Sequence, residues 1–180
     1  EITYGDWSSD VCSSDLRDPE QIQFKELVKT ARDYCNLIDC LPGREDWLLA
    51  LFQLLPRLHA NVVAMPDPGG DEVTDQSSDL DARFDLFSKL RLRLGDRDMY
   101  WLEFDQPGDV HEDDEHRSGS LADDLTDIYF ELKRGLAMLE RATPDAVVHL
   151  WEVGFQQHWG QHLVDAERHL YALRVNEQLQ

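Results

Sequence analysis

From about Arg44 to Met65 the chain is almost continuously apolar, with Trp47, Leu48, Leu51, Phe52, Leu55, Leu58 and Val62 recurring at three- and four-residue spacing. Residues three and four apart share one face of an α-helix, so the pattern demands a helix with a broad buried side. A helix this apolar reads as the central helix of a core. Pro56 falls inside it. A proline there removes one backbone donor and crowds the preceding turn, so a kink or a split into two helices is expected.

The remaining segments supply helices to pack around it. Asp18-Pro19-Glu20-Gln21 has the pattern of a helix start, and Phe24, Leu27, Val28, Ala31, Tyr34, Cys35 and Ile38 form the stripe that follows, ended by Pro42-Gly43. Asp79 caps a third helix with Leu80, Phe84, Phe87, Leu90 and Leu94, closed by Gly95. Ser120 opens a fourth, to about Glu140, striped by Leu121, Leu125, Ile128, Leu132, Leu136 and Leu139. Thr143-Pro144 starts a fifth that reaches about Val175. Pro66–Ser78 and Asp105–Gly119 read as loops, the second with a solvated acidic centre at Glu112–Glu115. Met99–Phe104 is short and aromatic, a lone extended segment or a packed turn. No convincing strand appears, and the fold expected is an all-α, single-domain bundle of five to six helices over residues 17–180.

Residues 1–16 are set apart. Asp6 to Leu16, eleven residues in succession, match the translation of a common sequencing adapter, so this stretch is expected to be a non-native, disordered tail with the native N-terminus upstream of Arg17 missing. It holds Glu1, Asp6, Asp10 and Asp15 and no Lys or Arg, so the formal charge of −20 becomes −20 + 4 = −16 without it. Such a polyanion repels phosphates and anionic lipid, which argues against nucleic-acid and membrane partners. No run of about 18 apolar residues exists to span a bilayer. Outside the tail only Cys35 and Cys40 remain, five apart on one helix and pointing in different directions. Two buried or half-buried free thiols are expected, which favours a reducing, cytoplasmic setting. Neither has a basic cluster nearby to make it a nucleophile.

The chemistry-bearing residues concentrate on the last two helices. At 100° per residue, His162, Asp165 and His169 fall at about +40°, −20° and +20° from His158, one strip at the edge of the apolar stripe. Histidines at i and i+4 can ligate one metal from one helix face, and Asp165 can join as a third ligand or an orienting partner. The plainer reading is a set of hydrogen-bonded boundary histidines, and the pattern lacks the Glu of a catalytic H-E-x-x-H motif. On the fourth helix, Ser120-x-x-Asp123 resembles a capping box, and Asp123 and Asp124 suit the positive helix end without any further function. Asp127 and Glu131 lie beyond the first turn and are less explained. The sharper reading is a divalent-metal site built from His158, His162, Asp165, Asp124 and Asp127 across a helix pair. Carboxylates within about 5 Å of the imidazoles would favour it, and opposite faces would not. Gly154 and Gly160 each cost this helix about 1 kcal/mol relative to Ala. Close helix–helix approach explains them, or room for a ligand beside Trp159.

Several stretches together resemble a bacterial family, domain of unknown function 5063. They are the opening F-x-x-L-x-x-x-A-x-x-Y-C from Phe24 to Cys35, Leu-Leu-Pro within Leu51–Leu58, Tyr100-Trp101, Ser120–Leu136, and His-Trp-Gly-x-His within Phe155–Ala166. The resemblance implies a small helical domain and carries no activity, ligand or catalytic residue. Two functions remain. One is a non-enzymatic module that binds a protein partner, suggested by Trp47, Trp101, Trp151 and Trp159 beside acidic loops. The other is a divalent-metal-binding protein or metal-dependent hydrolase.

Overall fold

The computed structural model describes residues 19–41, 45–66, 69, 79–102 and 117–179. The expected tail at residues 1–16, the expected cap Asp18, the expected helix end at Pro42-Gly43, the Glu112–Glu115 segment and most of the Pro66–Ser78 stretch lie outside them. The described residues form helices α1 (Pro19–Asp39), α2 (Trp47–Val63), α3 (Leu80–Leu94), α4 (Leu121–Met138), α5 (Pro144–Gly154) and α6 (Gly160–Val175). The expected all-α class holds, with one small addition. Strands β1 (Met99–Leu102) and β2 (Arg117–Ser120) pair antiparallel, with Tyr100 opposite Gly119. Four-residue strands offer too few alternations for period-two patterning to show, so Met99–Leu102 looked solitary and Arg117–Gly119 looked like loop.

The helix starts expected at Asp79, Ser120 and Thr143 are capped. Asp79 accepts from the Ala82 N–H, Ser120 from Asp123 and Thr143 from Ala146. Gly95 ends α3 with φ 56°, the left-handed region that glycine enters without a Cβ penalty. α2 runs unbroken through Pro56, which lies on its exposed side.

The central helix is α4, not the more apolar α2. α4 packs against α1, α3, α5 and α6, whereas α2 packs chiefly on α1 and α6. The hydropathy of α4 is lowered by residues it nonetheless buries, Asp124 and Thr126. Thr126 satisfies itself by donating to the Ala122 carbonyl, and Tyr34 of α1 donates to the Leu125 carbonyl at 2.8 Å. Hydropathy thus identified a buried face and not the most surrounded helix. Leu121, Leu125, Ile128 and Leu132 are fully buried in one core cluster with Leu51, Leu55, Leu58, Trp151, Trp159 and Leu163. On α3 only Leu90 and Leu94 are buried, and Leu80 and Phe84 are exposed although they continue the same stripe. Cys35 is buried and Cys40 exposed, both as free thiols, so the expectation of a half-buried Cys40 does not hold.

Candidate metal centre

The fifth predicted helix is α5 and α6 joined by a single π turn, Phe155–Trp159. The Gly160 N–H reaches back to the Phe155 carbonyl. A Cβ on Gly160 would stand 2.3 Å from that oxygen. Gly160 therefore serves the π turn of its own helix, and neither helix–helix approach nor a ligand explains it. A Cβ on Gly154 would stand 3.1 Å from the Trp159 indole and 3.5 Å from Glu131 of α4. Trp159 is fully buried and donates to the Trp151 carbonyl. π turns cluster at functional sites, and this one contains His158.

α4 and the α5–α6 helix lie antiparallel, so their polar residues meet as rungs. Glu131 faces His158, with Oε1 3.7 Å from Nδ1. Asp127 lies between the histidines, its Oδ2 3.3 Å from His162 Nε2 and 3.7 Å from His158 Nε2. Asp124 Oδ1 accepts from His162 Nδ1 at 2.8 Å. The two imidazole rings meet edge to face, centroids 5.1 Å apart. One ligand atom each from Asp127, His158 and His162 lies within 4.8 Å of the others. Tetrahedral ligands at about 2.0–2.1 Å from a zinc ion stand roughly 3.3 Å apart, so a small inward movement would close the set on an ion.

Of the five residues singled out as metal ligands, three therefore converge. Asp124 stands behind His162 on the ring nitrogen away from the convergence point. Capping does not account for it, because it is only 4% exposed and bonded to two side chains. Asp165 faces Arg168, with 3.9 Å between Oδ1 and Nε, and does not join the three. His169, the fourth member of the strip, bonds the Arg97 carbonyl at 2.7 Å and stacks on Tyr100. The strip is continuous, but from His158 to His169 it rises about 16 Å, longer than the carboxylate face opposite.

Three contributors were not foreseen. Arg83 of α3 pairs with Asp127 Oδ1 and lies 3.8 Å from Glu131 Oε1, its guanidinium over Phe130. Tyr100 of β1 donates to Asp124 Oδ2 at 2.5 Å. Asp98, just before β1, accepts from Ser120 Oγ and the Ala122 N–H and fixes the start of α4. Only Tyr100 had a signal, its place in the Tyr100-Trp101 pair of the family resemblance. The ring of His158 reaches solvent with 46% of its side chain exposed, so the convergence point opens outward. Asp124 holds the His162 imidazolium above the ordinary histidine range, against the opposing effect of burial. Burial pushes Asp124 itself upward, and the donors His162 and Tyr100 act the other way. Tyr100 is held well above its usual range by burial and by Asp124, so its hydroxyl remains a donor. A cavity of about 640 Å³ lined by Phe24, Met65, Pro66, Pro144 and Val148 is remote from this chemistry, since Val148 and His158 are about 15 Å apart along the helix. Of the tryptophans weighed as a docking surface, Trp47, Trp151 and Trp159 are core and Trp101 is 67% exposed.

The family model for domain of unknown function 5063 (DUF5063) matches residues 19–176. The chain belongs to this family. Both clusters of the centre lie within the DUF5063 match. A crystal structure of protein BF1032 from Bacteroides fragilis, a structural genomics target, shares the fold with a TM-score of 0.67 and 21% identity, covering 87% of this chain and 92% of that one. No curated protein matches the chain. Among the described residues, no helix of this DUF5063 protein is long and apolar enough to cross a membrane.

Proposed function

We propose that this DUF5063 protein binds a divalent transition-metal ion through His158 Nε2, His162 Nε2 and Asp127 Oδ2. One observation carries the reading: both histidines turn Nε2 toward the same carboxylate oxygen while a second carboxylate faces each Nδ1. That is the layered arrangement of protein metal sites, where an outer acceptor sets the tautomer and orientation of each ligating imidazole. Two imidazoles and one carboxylate suit zinc, manganese or iron(II) better than magnesium or calcium. Charge agrees. Asp124, Asp127 and Glu131 against Arg83 leave −3 + 1 = −2, which a divalent ion neutralises. Arg83 takes Asp127 Oδ1 and leaves Oδ2 for the ion. Three protein ligands leave room for water, and a metal ion supplies Lewis acidity to such a water, so a hydrolytic role is compatible with the site.

The test is metal analysis after loading with Zn²⁺, Mn²⁺ or Fe²⁺ and desalting, beside a His158→Ala/His162→Ala control. About one equivalent in the wild type, lost in the control, is expected. Less than one-tenth equivalent, with no thermal shift, overturns the reading. At about 100-fold excess over Kd, binding adds about 2.7 kcal/mol of stability, roughly 5–11 °C for a chain of this size. A second reading, a protein-interaction module, rests on Met99 and Trp101, which β1 presents outward. A reproducible partner from the native host that is lost on Trp101→Ala supports it, and no reproducible partner refutes it.

A further inference from the structure

Tyr100 of β1 faces inward, 8% exposed between the exposed Met99 and Trp101. Its ring is held on several sides. His169 stacks on it with centroids 4.7 Å apart, and the Arg168 guanidinium lies 5.6 Å from its centroid. Across the sheet stands Gly119, where a Cβ would come within 2.3 Å of Tyr100 Cζ. Only glycine opposite lets the ring lie this close to β2. So placed, the hydroxyl donates to Asp124 Oδ2, while Asp124 Oδ1 accepts from His162. A carboxylate anchored at one oxygen cannot rotate freely at the other. Its acceptance from Nδ1 keeps a proton on that nitrogen and directs Nε2 toward Asp127 Oδ2, so that an ion displacing the Nε2 proton meets both ligand atoms.

We propose that Tyr100 is a positioning residue of the metal centre: through Asp124 it fixes the tautomer and direction of the His162 imidazole, and so couples the small sheet to metal affinity. The inference rests on the metal-binding reading above. β1 and β2 then form the outer wall of the site, and the seat of Tyr100 on Gly119 is part of its construction. Outer partners of this kind change metal affinity about 10- to 100-fold when removed.

Tyr100→Phe keeps the ring and its stacking and removes only the hydroxyl. Zinc affinity is measured by competition with a chromophoric chelator, and the Co²⁺-loaded protein is examined by visible absorption. The expected result is a 10- to 100-fold weaker Kd and an altered Co²⁺ d–d spectrum. Trp101→Ala, on the outward side of the same strand, leaves both unchanged. A structural role alone would lower the melting temperature of the metal-free protein without changing the Co²⁺ spectrum. Should Tyr100→Phe fold poorly, Asp124→Asn tests the same chain of bonds with the same expectation. Wild-type affinity and spectrum in the folded variant overturn this inference and leave the metal reading intact. Absence of zinc and cobalt binding by the wild type overturns both.

Discussion

Gly135 tests whether α4 and α5 are as tightly joined as the metal centre requires. An ordinary helical glycine is a weak point, and replacing it with alanine stabilises by about 1 kcal/mol. Here the sign should reverse. A Cβ on Gly135 would stand 2.1 Å from Trp151 Nε1 and 2.2 Å from Cε2. Normal contact is about 3.5–4.0 Å, so the indole must retreat by about 1.5 Å. Trp151 is buried, and its N–H donates to the Glu131 carbonyl at 3.2 Å. Losing that bond costs about 1 kcal/mol. Forcing a methyl into a filled core costs about 1–3 kcal/mol. Less the propensity gain, Gly135→Ala should destabilise by about 1–3 kcal/mol, roughly 2–12 °C in Tm for a chain of this size. Urea unfolding followed by tryptophan fluorescence measures it. A neutral or stabilising Gly135→Ala would refute the packing described for this helix pair.

Two further outcomes are expected. The His162 pKa is raised in the folded state, so its ion pair with Asp124 stabilises the metal-free protein below about pH 6.5 for as long as Asp124 stays ionised, and is lost as pH rises through the folded value. In chelator, the stability difference between wild type and His162→Gln should therefore shrink as pH rises, and a difference that grows would overturn the assignment. Burial pushes the Cys35 thiol up to about 12, whereas Cys40 is exposed, so iodoacetamide at neutral pH should label Cys40 and spare Cys35 until unfolding. Peptide mapping reads this, and equal rates would refute it.

Local rules made much of the fold legible. The caps at Asp79, Ser120 and Thr143 are short-range bonds between residues three apart, and the stripes of α1 and α4 are periodicities within one helix. Both are written in contiguous residues. What escaped depends on neighbours distant in the chain. Leu80 and Phe84 continue the stripe of α3 in sequence, yet the fold leaves both exposed. Three tryptophans went to the core, because large aromatic residues serve packing as readily as recognition. At the site, the facing of His158 and His162 toward Asp124 and Asp127 follows from pairing two helices, and each helix carried its half of the signal. Arg83 and Tyr100 come from elements with no periodic link to either. The π turn was invisible because a count at 100° per residue presupposes an unbroken α-helix.

That turn has a consequence for how this chain tolerates change. A π turn is a helix carrying one residue more than its α-helical length requires. Deleting one residue from Phe155–Trp159 would restore regular α-helix locally, and by helix propensity it would look like a repair. Because the turn closes from residue i to i+5 instead of i+4, it absorbs the surplus residue within itself, and the helix beyond it would keep nearly the same phase and height. His162 would stay opposite Asp124, Leu163 and Leu170 in the core and His169 against Tyr100, and the change would fall on the turn itself, where His158 and Trp159 sit. The surplus residue is thus a local insert, so losing one residue within these five should disturb His158 and leave α6 in register, whereas losing one residue inside α6 would rotate everything after it by about 100°.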